Sequence, residues 1–528
     1  MSETESHPSV VPSPASPRQS SRRRSRFSRP VRTPRKKTPP AAIRKATAAS
    51  ALGNATEWYD YGVYAVATAY ITQHFFPGEQ GMLLTLATFA ISFLVRPIGG
   101  LVWGPLGDRL GRKTILAMTI LMMSGATFLI GVLPSFEQVG VLAPVLLIVL
   151  RMIQGFSTGG EYGGAATYMS EYAPDRRRGF FGSFLEFGTL GGFALGTAVM
   201  LLLELLLSPE QMSSWGWRLP FLLAAPMGLI GFYLRSKLDD TPVFEEMNGS
   251  DETETDREPT AEAVEPPSLV QVFRDHWKPM LVMTGLVISV NVVNYTLLSY
   301  MPTYLEQQIG LPAAAGLSVI LIGEVAMMAL MPWSGGLSDR FGRKPSWYFS
   351  LAGLILLAIP MFMLMGMSFG LAVLGFAVLG LLYIPQLSTI TANIATSIFG
   401  GTAALVNEWA IGVTGDVKFP AYYMMGACAV GLVCAWFMRE TAGASLRGTE
   451  VPGSIGSAVV PGSPAETALE QGRQPEQRSM EEAEMLALAD HARQASATGA
   501  GGVAMDGAAD TDGAEDPDDG ARVGAPVA

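Results

Sequence analysis

The chain has 528 residues, a formal net charge of −10 and a mean hydropathy of +0.29, with 49% apolar and 16% charged residues. A soluble globular protein carries about a quarter charged residues, so this composition argues for an integral membrane protein instead. Two cysteines and four scattered histidines exclude a disulfide framework or a Cys/His metal cluster, and no phosphate-binding loop or nucleophile triad indicates an enzyme.

The two ends of the chain differ from its middle and from each other. Residues 18–45 hold twelve Arg or Lys and no acid, whereas residues 438–528 hold sixteen acids against six Arg. Both ends are rich in Ser, Pro, Gly and Ala, which predicts a disordered basic tail over 1–45 and a disordered acidic tail over 438–528. The basic tail is either a solvated arm that sets topology or a segment attracted to an anionic membrane surface.

Twelve apolar runs between the tails are candidates to cross a bilayer as helices. The longest connection, 238–278, is polar and follows the sixth run, so we interpret it as a cytoplasmic linker between two six-helix halves, 46–237 and 279–437. The sequence therefore predicts an all-α integral membrane protein. The predicted spans are 48–75, 82–104, 114–133, 142–166, 180–207, 219–235, 279–303, 312–334, 346–366, 369–390, 393–414 and 420–437.

Basic residues in the short connections predict how the chain crosses the membrane. The connections after spans two, four and eight are basic, as is the N-terminal tail, while those after spans one, three, seven and nine contain no Lys or Arg. Because positively charged loops stay in the cytoplasm, we expect the basic loops and both termini on the cytoplasmic side of the cell (inner) membrane.

A decapeptide occurs twice, as GPLGDRLGRK at 104–113 and GGLSDRFGRK at 335–344, and its aspartates are 231 residues apart. Each copy lies between the second and third spans of its half, which is typical of the related halves of a secondary transporter. We interpret both copies as gating loops, in which the first glycine permits close helix contact, the later glycine permits a positive φ, and the aspartate pairs with an arginine or caps a helix. The residues assigned to this role are Gly104, Asp108, Arg109, Gly111, Arg112, Asp339, Arg340, Gly342 and Arg343.

These decapeptides resemble the loop motif of the major facilitator superfamily. RMIQGFSTGGEYGGAATYMSEYAPDRRRGF (151–180) is similar to its metabolite:H⁺ symporter branch, and GNATEWYDYGVY (53–64), WGWRLPF (215–221) and FPAYYMM (419–425) resemble the proline/glycine betaine transporters of that branch. The resemblance implies a major facilitator fold with nominally twelve helices, alternating access and proton-coupled uptake. The expected partners are a small osmolyte or metabolite, protons and the lipid bilayer; we expect a monomer with no cofactor, no metal and no nucleic acid.

Charged residues inside apolar spans are costly and often mark a transport pathway. Glu57 and Asp60 are three residues apart and share a face of the first span, while Glu161 and Glu186 lie in the fourth and fifth spans. An apolar core disfavours the charged form of a carboxylate. A carboxylate in such a core therefore binds a proton more readily and can do so near neutral pH. We expect one of these four residues to carry the coupling proton; a fixed salt bridge is the alternative for each.

A betaine or proline head group combines a cation with a carboxylate. Aromatic faces bind quaternary ammonium groups by about 0.5–2 kcal/mol per contact, and a buried guanidinium can hold a carboxylate. Plain aromatic packing is the alternative for each ring, and a bond to a neighbouring helix is the alternative for the asparagine. The candidate substrate-binding residues are Trp58, Tyr61, Tyr64, Arg96, Arg151, Asn291 and Tyr295.

One segment departs from the family pattern. The charged connection expected between the tenth and eleventh spans is absent from 383–409, and roughly two dozen residues, about one span, are missing. Either three tight helices survive over 346–414 with a turn near 391–393, or 369–414 supplies one span and remnants.

Three functions remain open at this point. The first is proton-coupled uptake of a zwitterionic osmolyte such as proline or glycine betaine. The second is proton symport of a carboxylate such as 2-oxoglutarate, citrate or shikimate, which Arg96 and Arg151 permit. The third is a transport-defective, sensor-like protein, which the missing segment permits.

Overall fold

The computed structural model describes residues 40–110, 112–159, 173, 175–236, 269–388 and 401–443, and every regular element in these ranges is helical. The helices before residue 237, here called the N-terminal helices, include short 3₁₀ turns at Asp175–Arg177 and Gly216–Arg218. They are α1 (Pro40–Val66), α2 (Thr68–Phe75), α3 (Gly81–Leu110), α4 (Arg112–Val132), α5 (Phe136–Val139), α6 (Leu142–Thr158), α7 (Arg178–Leu206), α8 (Pro209–Ser214), α9 (Leu219–Leu222) and α10 (Ala224–Ser236).

The C-terminal helices begin with residues that the sequence assigned to the linker, since 269–278 are helical. Two π-helical turns, Tyr295–Tyr300 and Tyr304–Gln308, flank a short helix in this part. The helices are α11 (Leu269–Asn294), α12 (Met301–Thr303), α13 (Ala313–Phe341), α14 (Arg343–Met365), α15 (Phe369–Leu387), α16 (Thr402–Thr414) and α17 (Phe419–Phe437). The predicted turn near 391–393, most of the linker and nearly all of both tails lie outside the described residues.

A helix stands at the position of each of the twelve predicted spans. Within the described ranges, seven helical segments are long and apolar enough to cross a membrane, and 117–132 and 142–158 form shorter apolar helices. The all-α membrane fold predicted from the sequence is confirmed. The seven segments are Gly81–Gly107, Arg178–Leu206, Trp277–Gln308, Ala313–Phe341, Arg343–Met365, Phe369–Leu387 and Phe419–Phe437.

The distribution of polarity is the reverse of that in a soluble protein. Leu101, Trp333 and Leu356 are each more than 70% exposed, whereas Glu57 and Arg151 are at most 4% exposed. Lipid tails can cover the exposed apolar side chains, but buried charges must be satisfied inside the protein. The helices therefore place an apolar surface outside and a polar, charged interior where they meet.

Helix α7 is central to the packing, since α1 lies along one side of it and α13 along another. Glycines 188, 192 and 196 recur every fourth residue on α7 and face the backbone of α1 around Ala51, Ala55 and Val63. A side chain at these glycines would collide with α1, so the spacing permits the close helix contact. The N-terminal and C-terminal helices meet along α7–α13 and along α3–α16.

Candidate functional site

Three aromatic side chains of α1 form one buried stripe at three-residue spacing. Trp58, Tyr61 and Tyr64 are at most 5% exposed, and the ring centres of Trp58 and Tyr61 are 5.5 Å apart. The Tyr61 hydroxyl hydrogen-bonds with Thr158 Oγ1 at 3.2 Å, and the Tyr64 hydroxyl donates to the Thr85 carbonyl at 3.0 Å. These bonds fix the hydroxyl edges of the two tyrosine rings and leave the ring faces for other contacts.

Arg96 on α3 projects onto this stripe. Its guanidinium carbon lies 4.4 Å from the ring centre of Phe93, 4.8 Å from that of Tyr61 and 5.8 Å from that of Trp58. The side chain is 7% exposed, and no described residue accepts a hydrogen bond from its Nε or Nη2. A buried cation with unused donors is costly, by about 1–3 kcal/mol per unsatisfied group. Arg96 therefore has two donors that no described residue uses.

Arg151 on α6 occupies the neighbouring position but is more fully bonded. It donates from Nη1 to Gln154 Oε1 at 2.8 Å and from Nη2 to Ser92 Oγ at 3.2 Å. Its guanidinium carbon lies 4.1 Å from the ring centre of Tyr64 and 5.1 Å from that of Phe89. Arg151 thus holds α3 and α6 together beside the rings.

Tyr295 brings the C-terminal helices to the same place. It begins the first π-helical turn, and its ring centre lies 5.0 Å from that of Phe93 and 6.3 Å from that of Trp58. Its buried hydroxyl has no hydrogen-bond partner among the described residues. π-Helical turns are frequent at functional sites because they displace side chains from the regular helix register. We call this set the aromatic–arginine cluster: Trp58, Tyr61, Tyr64, Phe89, Phe93, Arg96, Arg151 and Tyr295.

Glu57 and Asp60 lie on α1 beside the cluster and are 4% and 3% exposed. The carboxylate of Glu57 attracts the Arg96 guanidinium, and that of Asp60 attracts the Arg151 guanidinium. Two carboxylates therefore lie near two guanidiniums within one buried region. In such a region, protonation of a carboxylate removes its negative charge and weakens its attraction for the neighbouring guanidinium.

Glu186 is also buried, on α7, but its hydrogen bonds are different. Thr189 Oγ1 donates to Glu186 Oε2 at 3.0 Å and accepts from Asn54 Nδ2 at 2.6 Å. This chain of hydrogen bonds links α1 to α7 next to the cluster. Glu161, the fourth carboxylate predicted from the sequence, lies outside the described residues.

Asn291 is buried on α11, and its Nδ2 donates to the Val287 carbonyl of the same helix at 2.8 Å. Asn294, one turn later, accepts a hydrogen bond from the Tyr383 hydroxyl at 3.0 Å and so links α11 to α15. Asn294 is therefore bound to a neighbouring helix.

A second group of contacts lies at one end of α7 and α13, here called the basic end because it carries Arg176, Arg340 and Arg343. Asp339 on α13 accepts hydrogen bonds from the backbone N–H of Gly179 at 2.7 Å and of Phe180 at 2.8 Å, the first turn of α7. It also pairs with Arg343 at 2.7 Å. The predicted alternatives, an arginine pair or a helix cap, both occur at this aspartate.

The glycines of the second decapeptide have the predicted conformations. Gly342 has φ +105° and separates α13 from α14, and Gly335 faces Gly179 and Ser183 at a distance that leaves no room for a side chain. The following N–H groups of Arg343 and Lys344 donate to the Glu440 carboxylate at 2.8 and 2.9 Å. Glu440, three residues after the end of α17, thereby caps α14.

The first decapeptide differs from its twin where it can be compared. Gly104 is exposed, and a side-chain atom added there would meet no described atom within 4 Å. The close helix contact at this glycine stays a prediction. Gly111 and the side chains of Asp108, Arg109 and Arg112 lie outside the described residues. Arg340, in the second copy, is exposed and lies 5.5 Å from the ring centre of Phe341.

Two tyrosine–glutamate pairs near the opposite end of the helices were not predicted. Tyr70 donates to Glu204 Oε1 at 2.5 Å between α2 and α7, and Tyr300 donates to Glu408 Oε2 at 2.7 Å between the first π-helical turn and α16. A small cavity lined by Tyr70, Glu204 and Glu306 adjoins the first pair. The signal in the sequence was a carboxylate inside an apolar run, but its partner lies more than 100 residues away.

Comparisons with known proteins identify the family of this chain. Residues 50–415 match the sequence profile of the Major Facilitator Superfamily. The chain belongs to the major facilitator superfamily. It is a membrane transporter rather than an enzyme, as the sequence predicted.

Curated members of the superfamily are similar over most of the chain. The glycine betaine/proline/ectoine/pipecolic acid transporter OusA of Dickeya dadantii is 41% identical over 433 residues, which cover 77% of this chain and 85% of that protein. The proline/betaine transporter of Escherichia coli K12 is 40% identical over 432 residues with the same coverage. A putative proline/betaine transporter of Staphylococcus aureus is 41% identical over 431 residues, or 77% of this chain and 90% of that one.

Solved structures support the fold alone. The proton:xylose symporter XylE bound to 6-bromo-6-deoxy-D-glucose superimposes with a TM-score of 0.57 at 18% identity, over 76% of this chain and 97% of that one. The partially occluded inward-open form of XylE from E. coli has a TM-score of 0.56 at 19% identity, over 77% and 100% of the two chains.

Proposed function

We propose that this chain takes up a small zwitterionic osmolyte of the proline or glycine betaine class together with protons, by alternating access across the cell (inner) membrane. The observation that carries the proposal is Arg96, a buried guanidinium with unused Nε and Nη2 donors beside the rings of Tyr61 and Trp58. The three curated relatives above are named as transporters of such osmolytes, which supports the same substrate class here.

The aromatic–arginine cluster has the chemistry that both ends of a zwitterion require. The substrate carboxylate accepts hydrogen bonds from the free donors of Arg96, which removes the cost of leaving them unsatisfied. The ammonium end lies against the faces of Trp58 and Tyr295, whose electrons attract a cation. These two rings belong to the N-terminal and C-terminal helices respectively, so one substrate contacts both sides of the path.

Proton coupling is assigned to the buried carboxylates beside the cluster. Glu57 attracts Arg96, so protonation of Glu57 releases the guanidinium for the substrate carboxylate. Asp60 stands in the same relation to Arg151, and Glu186 is linked to α1 through Thr189. The proton gradient then drives accumulation without a cofactor, and we propose that the chain works as a monomer.

The contact of Asp339 with α7 supplies a device for alternating access. Its hydrogen bonds to Gly179 and Phe180 hold the basic ends of α7 and α13 together, and they must break for that end to open. Because basic loops favour the cytoplasmic side, we assign the basic end and both chain termini to the cytoplasm.

Symport of a dicarboxylate or tricarboxylate metabolite is the second candidate. Two buried arginines in one region favour it, but Arg151 already donates to Gln154 and Ser92. Arg96 leaves two donors, Nε and Nη2, without a partner among the described residues, whereas Arg151 leaves only Nε. Arg96 is therefore better suited than Arg151 to bind a carboxylate, and a substrate with a single carboxylate, the zwitterion, is the better match. A transport-defective sensor is not favoured by any specific contact, whereas the unused donors of Arg96 favour a substrate carboxylate.

Competition for labelled proline uptake in proteoliposomes tests the assignment. With an imposed inward proton gradient, unlabelled glycine betaine and proline should both block uptake, whereas 2-oxoglutarate, citrate and shikimate should not. Inhibition by the carboxylates alone would favour the second candidate, and the absence of uptake of any compound would favour the sensor.

A further inference from the structure

Glu324 lies in the middle of α13 and has no role in the site described above. It is 0% exposed, and neither carboxylate oxygen has a hydrogen-bond partner among the described residues. Its position 17 residues before Phe341, the last residue of α13, places it about 25 Å from the basic end of this helix. A charged carboxylate so deep in an apolar region is expensive, so the side chain is stable there only in its neutral form.

The surroundings of Glu324 come from two neighbouring helices. Phe376 of α15 faces the adjacent Gly323, and Met327, one turn further along α13, faces Gly380 of the same α15. On the other side, Thr197 of α7 lies beside Glu324. The Thr197 hydroxyl donates to the Phe193 carbonyl at 3.0 Å, so its proton is directed away from the carboxylate. Glu324 is therefore enclosed by apolar groups in the contact between α7 and α13.

Charged groups on the helices around α13 do not compensate Glu324. Among the described residues, no charged group acts on Glu324. Its charge state is influenced only by its burial and by the neighbouring Thr197 hydroxyl. The groups concerned are Arg178, Glu186 and Glu204 of α7, Tyr383 of α15, Arg343, Lys344 and Tyr348 of α14, Tyr304 and Glu306 of the second π-helical turn, and Arg176 and Arg177 before α7.

The contact that encloses Glu324 also reaches the aromatic–arginine cluster. Phe193, whose carbonyl accepts from Thr197, has its ring centre 5.7 Å from that of Trp58. A change at the substrate rings can therefore move the segment of α7 that covers Glu324. The same pair of helices is joined at the basic end by Asp339, so opening that end separates α7 from α13.

We infer that Glu324 is a second proton-binding site, located between α7 and α13, which exchanges its proton with water when these helices separate and retains it while they are in contact. Closure then requires a neutral Glu324, and the proton bound there crosses the membrane with the conformational change. This inference rests on the proposed proton symport and adds a proton site on the C-terminal helices to those on α1 and α7.

Two variants distinguish protonation from packing. E324Q mimics the neutral carboxyl group and cannot titrate, and T197V alters the same contact without touching a titratable group. Both should retain equilibrium exchange of labelled proline. E324Q should lose the pH dependence of net uptake and T197V should keep it, while E324D, which restores a titratable group, should recover part of that dependence.

Infrared difference spectra of the reconstituted protein provide a readout that does not require transport. Wild type should show a protonated-carboxyl band that E324Q lacks and T197V retains, and glycine betaine should perturb it. A spectrum of E324Q identical to wild type, or an unchanged pH dependence of its uptake, would overturn the inference. If E57Q or D60N lost proton coupling while E324Q kept the pH dependence of wild type, the proposed symport would stand. The assignment of a second proton site to Glu324 would be rejected.

Discussion

The guanidinium carbon of Arg96 lies 4.8 Å from the centre of the Tyr61 ring, and both side chains are buried where α1 meets α3. We predict that Arg96→Lys retains the positive charge but loses the planar donors that receive the substrate carboxylate. A hydrogen bond to a charged group contributes about 1.5–3 kcal/mol, so the KM for proline should rise about 10- to 150-fold. The exposed Lys278 supplies the control, since Lys278→Gln should transport like wild type. An unchanged KM in Arg96→Lys would show that the substrate carboxylate does not bind at Arg96.

Trp58 is expected to recognise the ammonium end of the substrate. Removing one cation–π contact of about 0.5–2 kcal/mol should weaken glycine betaine binding about 2- to 30-fold in Trp58→Ala. Trp333, which is 72% exposed on α13, is the matched control, because Trp333→Ala removes an indole that faces outward. Isothermal titration in detergent measures both affinities. Equal losses in the two variants would indicate a general effect of removing an indole.

The carboxylates beside the cluster should separate substrate exchange from proton coupling. In Glu57→Gln, Asp60→Asn and Glu186→Gln, made one at a time, at least one variant should exchange labelled proline at equilibrium but fail to concentrate it under a proton gradient. Glu79→Gln, at an exposed glutamate between α2 and α3, should concentrate proline normally. Full gradient-driven accumulation in all three variants would reject the assignment of the proton to these residues.

The contact between Asp339 and the first turn of α7 should hold the basic end closed. Asp339→Asn loses the ion pair with Arg343 and one charged acceptor, which should shift the population toward the open form about tenfold or more. A Ser183→Cys reporter, placed opposite Gly335 in a chain without Cys428 and Cys434, should then react faster with a thiol reagent. Asp416→Asn, an aspartate that accepts from the Lys418 N–H at the other end, is the control. Equal labelling rates of the Ser183→Cys reporter with and without Asp339→Asn would contradict the role of Asp339 in closing the basic end.

Local sequence patterns predicted much of the architecture and part of the site. The repeated decapeptide predicted the behaviour of Asp339 and Gly342, because a positive φ and a helix cap depend on a few adjacent residues. The three-residue spacing of Glu57 and Asp60 likewise predicted that they share a face of α1, and both are buried there. The close contact predicted at Gly104 depends on the neighbouring helix, which the decapeptide does not specify.

Contacts between distant segments could not be predicted in the same way. Trp58 and Tyr295 are neighbours although 237 residues separate them, and the sequence alone offered each ring only as a candidate. Glu324 carried a visible signal, a carboxylate in an apolar run, but no pattern indicated that its oxygens would lack partners. Which carboxylate is bonded and which is not depends on the three-dimensional packing of several helices.

Substrate-induced proton movement in proteoliposomes tests the central claim most directly. With no imposed gradient and a pH-sensitive dye inside the vesicles, addition of external glycine betaine or proline to wild type should acidify the interior in step with uptake of the labelled compound. Arg96→Lys should require much higher substrate concentrations for the same signal. Uptake of the osmolyte without any change of internal pH, or acidification by citrate and not by betaine, would contradict the account.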